Sequence, residues 1–195
     1  LKLNLKYSSI YWRKSVFMPS PKKSYKPAGR ILSLGDIDGE AVNEIIEIIY
    51  EINEEDAKKT QKEPIKLIIN SFGGELYSGL ALVDVIDNSQ TPIHTICHGS
   101  AMSMALIVFA AGHHRYASKY ATFMYHEASY ETEGKVLHHK QEIKEADRTD
   151  KICDEYFLSK TKFNAKQLKD IRDKRGEWYF DVKTAVKYGL VDEVL

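Results

Sequence analysis

The sequence predicts an α/β protein built on a largely parallel sheet with right-handed crossovers. Short apolar runs at 31–34, 65–69, 93–97 and 121–125 alternate with stretches of helical periodicity, the pattern of repeated strand–helix units. Glycines stand where strands give way to helices, at Gly73-Gly74 and at Gly99. A length of 195 residues suffices for one sizeable core and is short for two ordinary domains.

Each element has its own signal. Ile31-Leu32-Ser33-Leu34 reads as a strand, and 41–52 repeats Ile and Val at helical spacing before a charged linker at 54–63. The run 65–69 is a second strand that ends in Asn70-Ser71-Phe72-Gly73-Gly74, after which Leu80, Leu82, Val83 and Ile86 resume a helical period. The unit recurs as a strand at 93–97, a turn at Gly99 and a helix over 101–111, with Gly112 where a C-terminal cap belongs. Residues 121–125 form a further strand. In 134–160, Leu137, Ile143, Ile152, Tyr156 and Phe157 are spread among charges. That predicts a helix with one apolar face, projecting from the globule or lying at a subunit contact. A helix around 183–188 and a strand-like 190–195 close the chain.

The first 29 residues carry Lys2, Lys6, Arg13, Lys14, Lys22, Lys23 and Lys26 with no acidic partner, and Pro19, Pro21 and Pro27. They read as a basic arm, either a solvated tail or leftover leader or a gating or partner-binding segment; the domain proper is expected at 30–195.

Composition excludes several classes. The 28 basic residues balance 28 acidic ones, so neither nucleic acid nor an anionic membrane surface is an expected partner. Cys97 and Cys153 have no paired spacing, which fits reduced thiols in the cytoplasm or an organelle of similar redox state. The longest apolar stretch, 101–111, is too short to span a bilayer and is interrupted by Ser103. The first residues show no apolar core closed by a cleavage site, so no secretory signal is expected. His113-His114 and His138-His139 lack the partner spacing of a metal site, and no metal is expected.

The chemistry gathers at two strand-to-helix turns, where open α/β sheets place their sites. In Gly99-Ser100-Ala101-Met102-Ser103-Met104, Ser103 falls in the first helical turn, where free amides favour a developing oxyanion. A serine there is either a cap or a nucleophile; Ser100 is the better-placed cap, which frees Ser103. His126 ends the strand Thr122-Phe123-Met124-Tyr125. Alone it reads as a solvated strand-end histidine; paired with Ser103 it is a general base. Gly73-Gly74 lets backbone approach a ligand closely and offers amides to an oxyanion. It lacks the third glycine of a dinucleotide fingerprint and the Gly-Lys-Ser/Thr ending of a phosphate loop.

Taken in order, Ile69-Asn70-Ser71-x-Gly73-Gly74, Ile96-Cys97-x-Gly99-x-Ala101-x-Ser103-Met104, Met124-x-His126 and Tyr188-Gly189-Leu190-Val191-Asp192 resemble the ClpP family, the proteolytic subunits of Clp proteases. The resemblance runs from about Arg30 to the last residue. It implies a crotonase-like spiral of ββα units with 134–160 as a handle helix, and a serine endopeptidase in which Ser103 attacks and His126 transfers the proton. It also implies that the amides of Gly74 and Met104 form the oxyanion hole. The family's acid is an aspartate, and its position here is Glu177, with Asp173 and Asp181 nearby as alternatives. Further implications are stacked rings, commonly of seven subunits, enclosing peptide or unfolded-protein substrates, and an AAA+ unfoldase partner that alone uses ATP, so that the chain needs no cofactor.

Two further departures are Phe72, where the family usually has Pro, and Glu127-Ala128, where it usually has Gln-Pro. These departures and Glu177 keep a catalytically silent ring subunit in view. A crotonase-fold acyl-CoA enzyme is the other alternative, since it shares a two-amide oxyanion hole without needing the Ser103 and His126 pair.

Overall fold

The computed structural model describes residues 29–129, 133 and 135–195. The basic arm lies outside them, Gly29 apart. In chain order the elements are β1 (Ile31–Leu34), α1 (Gly39–Asp56), β2 (Ile65–Ser71), α2 (Leu76–Asn88), β3 (Ile93–Met102), α3 (Met104–Ala110), β4 (His114–Ala117), β5 (Thr122–His126), α4 (Val136–Lys160), α5 (Ala165–Arg175), β6 (Glu177–Asp181), α6 (Val182–Lys187) and β7 (Glu193–Val194).

The fold is α/β, as expected. Strands β1, β2, β3, β4 and β7 pair in parallel in that order. β5 runs parallel to the far end of β3, and β6 closes that edge antiparallel to β5. Strand β2 alternates buried Ile65, Leu67 and Ile69 with an exposed Lys66, the period-two pattern of a strand packed on one face. Helix α1 buries Val42, Ile45, Ile49 and Ile52 on one stripe. Every residue of α3 is buried, so this wholly apolar helix is a core element rather than an amphipathic one.

Strands β3 and β7, helix α3 and Gly112 depart from the expectation. Strand β3 continues to Met102 instead of stopping at Cys97, because Gly99 (φ 92°) marks a bulge and not a turn. The register slips between Ile69↔Cys97 and Ser71↔Ala101, and the freed segment Ser100–Met102 pairs with β5. Helix α3 therefore begins at Met104 rather than 101. Gly112 is not a left-handed cap: a Cβ there would stand 2.2 Å from Thr95 Oγ1, so the glycine is required by close packing. Of 190–195 only Glu193–Val194 is strand, while Leu190 and Val191 fill the core.

β4, β6 and α5 were not legible: β4 is short and polar, and β6 places three aromatics in a row without alternation. α5 does carry a capping box, Asn164 with Gln167, a usable start signal. α4 is the long charged helix expected at 134–160. It buries Ala146, Thr149, Cys153 and Phe157, while Val136, Leu137 and Ile143 toward its start are exposed. Among the described residues no helix is long and apolar enough to cross a membrane.

One charged contact ties the start of the domain to its first layer. Asp56, fully buried at the end of α1, accepts two hydrogen bonds of 2.6 Å from Arg30. Thr91 Oγ1 donates to it at 2.9 Å and Lys59 Nζ lies at 2.8 Å. Hydrogen bonding by Arg30, then by Lys59, holds the Asp56 carboxyl well below the usual carboxylate range, against the opposing effect of burial. A depressed folded-state pKa contributes stability above the unfolded value and loses it as pH falls through the folded one. Asp56→Asn is therefore expected to lower the melting temperature at neutral pH, with the gap to wild type narrowing below about pH 4. Thermal melts across pH check this; a gap that widens in acid contradicts it.

Candidate active site

Ser103 links β3 to α3 in a conformation with φ 57° and ψ −130°. Among the described residues it is the one non-glycine with positive φ, a strained backbone of the kind that clusters at functional sites. It occupies the N-cap position of α3, yet its hydroxyl makes no capping bond. Ser100 is not the cap either. It lies within β3 and hydrogen-bonds Asn70 Oδ1 through its amide at 3.2 Å and its hydroxyl at 3.3 Å, because the Gly99 bulge keeps it in the strand.

The Ser103 hydroxyl is 2.9 Å from His126 Nε2, and both residues are buried, with 2% and 5% exposure. The serine amide donates to Met124 O at 2.9 Å, so the strand that carries the histidine also fixes the serine backbone. His126 is the last residue of β5, and its cross-strand partner in β6 is Glu177. Directly opposed residues of an antiparallel pair project from the same face with Cβ atoms about 5 Å apart.

The same register separates Asp181 from the histidine. Asp181 pairs with Thr122 at the far end of the strand, about 13 Å along it, and accepts a bond from Thr184 N that starts α6. Asp173 is exposed on α5 and ion-paired with Lys169 at 2.6 Å. Glu177 is half-buried and accepts a 3.2 Å bond from Tyr179 Oη.

The glycine segment presses directly on the serine. Gly73 (φ 107°) and Gly74 (φ 148°) take a backbone that L side chains rarely adopt. A Cβ on Gly73 would meet Ser103 Cβ at 2.8 Å and Oγ at 3.0 Å. The Gly73 amide donates to Ser71 Oγ at 3.0 Å, and its carbonyl accepts from Ile37 N at 3.0 Å. Gly74 bridges Ile37, and α2 comes next. Met104 is the first residue of α3, where an amide has no intrahelical acceptor. Its side chain is fully buried and fills the space over Gly79.

Nearby chemistry of other kinds is muted. Burial pushes the thiols of Cys97 and Cys153 up to about 12, so neither is a nucleophile near neutral pH. Among the described residues no group of three or more His, Cys, Asp and Glu is arranged to hold a metal. His113 Nδ1 accepts a 2.9 Å bond from Ile93 N. Sequence reasoning missed Tyr125, Asp150, Asp154 and Arg172, which cluster behind the histidine strand; their meeting depends on α5.

A strained serine bonded to a buried histidine where parallel strands end defines an α/β protein with a serine-centred site. A family model described as Clp protease matches residues 24–195. An ATP-dependent Clp protease proteolytic subunit of Dehalococcoides mccartyi is 32% identical over 169 residues, covering 85% of this chain and 82% of that relative. One from Mesostigma viride is 30% identical over 169 residues, covering 85% of this chain and 71% of its own length. The chain belongs to the Clp protease family, a family of serine peptidases.

Proposed function

We propose that the chain is the endopeptidase subunit of a compartmentalised Clp protease and that Ser103, His126 and Glu177 carry its chemistry. The observation behind this is the 2.9 Å contact between Ser103 Oγ and His126 Nε2, set against the Gly73-Gly74 segment. Ser103 Oγ attacks the peptide carbonyl while His126 Nε2 takes its proton; the imidazolium then protonates the leaving amine as the C–N bond breaks. Water repeats the cycle on the acyl-serine and releases the acid. Glu177, opposite His126 in register, orients the imidazole and stabilises its charged form.

With the Gly73 amide engaged by Ser71, the Gly74 amide is the donor that segment offers to the tetrahedral oxyanion. The Met104 amide at the start of α3 is the second. An extended substrate lies along 71–74 as an added strand, with main-chain hydrogen bonds setting its register. No cofactor enters these steps. Unfolding of larger substrates falls to an AAA+ Clp ATPase partner, the only user of ATP, and the subunits enclose the sites in stacked rings of the family's seven-fold kind. The exposed Val136, Leu137 and Ile143 of α4 suit the contact between rings. The compartment is the cytoplasm or an organelle of similar redox state.

The test is hydrolysis of a short fluorogenic peptide by the assembled protein without nucleotide. Turnover is expected, and Glu177→Gln is expected to lower kcat by about 100-fold or more. Asp173→Asn, on an exposed carboxylate paired with Lys169, is expected to leave kcat within about two-fold. The reverse ranking assigns the acid to Asp173 instead.

A further inference from the structure

The histidine sits at the very end of a strand, where ladder hydrogen bonds no longer fix the chain beyond it. Successive side chains of a strand point to opposite faces, so while His126 faces Ser103, Tyr125 faces the helices behind. There Tyr125, 1% exposed, stacks on Phe157 of α4 with ring centroids 5.3 Å apart and donates its hydroxyl to Asp154 Oδ1. Arg172 of α5 donates to the same carboxylate oxygen at 2.6 Å and to Tyr125 Oη at 3.1 Å, with its guanidinium 5.9 Å over the tyrosine ring. One turn earlier on α4, Asp150 Oδ1 accepts from Ala128 N at 2.8 Å and lies 3.9 Å from the Arg172 guanidinium. The residues on either side of His126 are thus both tied to one carboxylate pair, and Arg172 spans the pair.

We propose that Arg172, Asp154 and Asp150 are positioning residues that clamp both flanks of His126 and thereby set its distance to Ser103. This rests on the peptidase reading above. The cluster is a costly way to obtain stability alone. Burial pushes both aspartates upward, one guanidinium serves two carboxylates, and an apolar replacement of such a buried group is often no less stable. What an apolar contact does not provide is direction. One guanidinium nitrogen, Nη2, that donates to both Asp154 and Tyr125, with a backbone amide held by Asp150, fixes the strand end in a way packing against Phe157 does not. Because a displacement of about 1 Å in catalytic geometry costs about 100-fold in rate, a small slackening at this strand end has a large readout.

The experiment uses the full assembled protein and measures fluorophosphonate labelling of Ser103 by intact mass, kcat and KM on a short peptide, and melting temperature. Arg172→Ala is expected to slow labelling and lower kcat by about 10-fold or more with KM changed by less than about three-fold. Arg172→Lys, which keeps the charge without the planar guanidinium, is expected to fall between Arg172→Ala and wild type. Tyr125→Phe removes a single hydroxyl and serves where Arg172→Ala does not assemble; it is expected to slow labelling about three-fold or more. Labelling within two-fold of wild type in a folded Arg172→Ala, or in Tyr125→Phe, overturns the clamp while leaving the peptidase reading intact. Wild-type protein that fails to label at Ser103 overturns that reading and the clamp with it.

Discussion

Ser103→Ala and His126→Ala are each expected to lower kcat for a short peptide by about 10,000-fold or more, and the double variant scarcely further. The reason lies in the geometry. A serine hydroxyl is a weak nucleophile at neutral pH, and here a buried imidazole nitrogen stands 2.9 Å away, within reach of its proton. Removing either side chain removes the same step, so the two losses overlap instead of multiplying. The residual rate reports what the amides of the glycine segment and of Met104 contribute alone. Steady-state kinetics of the two single variants and the double variant decide the matter. Losses that multiply contradict a single Ser–His unit, and an unchanged rate in Ser103→Ala moves the chemistry toward an acyl-transfer site that needs no serine.

Alanine at either glycine is expected to be nearly as damaging, for two separable reasons. At Gly74 a Cβ would stand 2.1 Å from Ile37 O and 2.8 Å from Ile37 C. These are backbone atoms without a rotamer to change. The strand–loop contact must open, with loss of the Ile37 N to Gly73 O and Glu75 N to Ile37 O bonds at 3.0 and 2.7 Å, on top of an unfavourable φ. A cost of about 3 kcal/mol or more results, visible in urea or thermal melts as well as in activity. At Gly73 the collision is with Ser103 itself, at 2.8 Å from its Cβ. Gly73→Ala is therefore expected to lose labelling at the serine by more than its loss of stability accounts for. Wild-type melts and labelling in Gly73→Ala contradict the close approach.

The layered α/β plan was legible because hydrophobic period is a local property: 65–69 and 41–52 announce a strand and a helix without reference to the rest of the chain. Ser103, His126 and the glycines were legible for a related reason, since they sit at turns that motifs mark. The bulge at Gly99 was not. A glycine between an apolar strand and an apolar helix reads as a turn, and only the pairing of 100–102 with β5 shows that the strand goes on. Strand β6 escaped notice because Glu177-Trp178-Tyr179-Phe180-Asp181 lacks alternation, and with it went the register that sets Glu177 across from His126 and Asp181 far from it. The cluster of Tyr125, Asp150, Asp154 and Arg172 joins three elements separated by up to 47 positions in sequence. No local pattern encodes such a meeting.

Whether Ser103 is an activated nucleophile is tested by intact-mass labelling of the assembled protein with a fluorophosphonate, wild type beside Ser103→Ala. One adduct per chain is expected in the wild type, none in Ser103→Ala, and slow labelling in Glu177→Gln. An adduct that persists in Ser103→Ala, or an assembled wild type that takes up none, contradicts a peptidase centred on this serine.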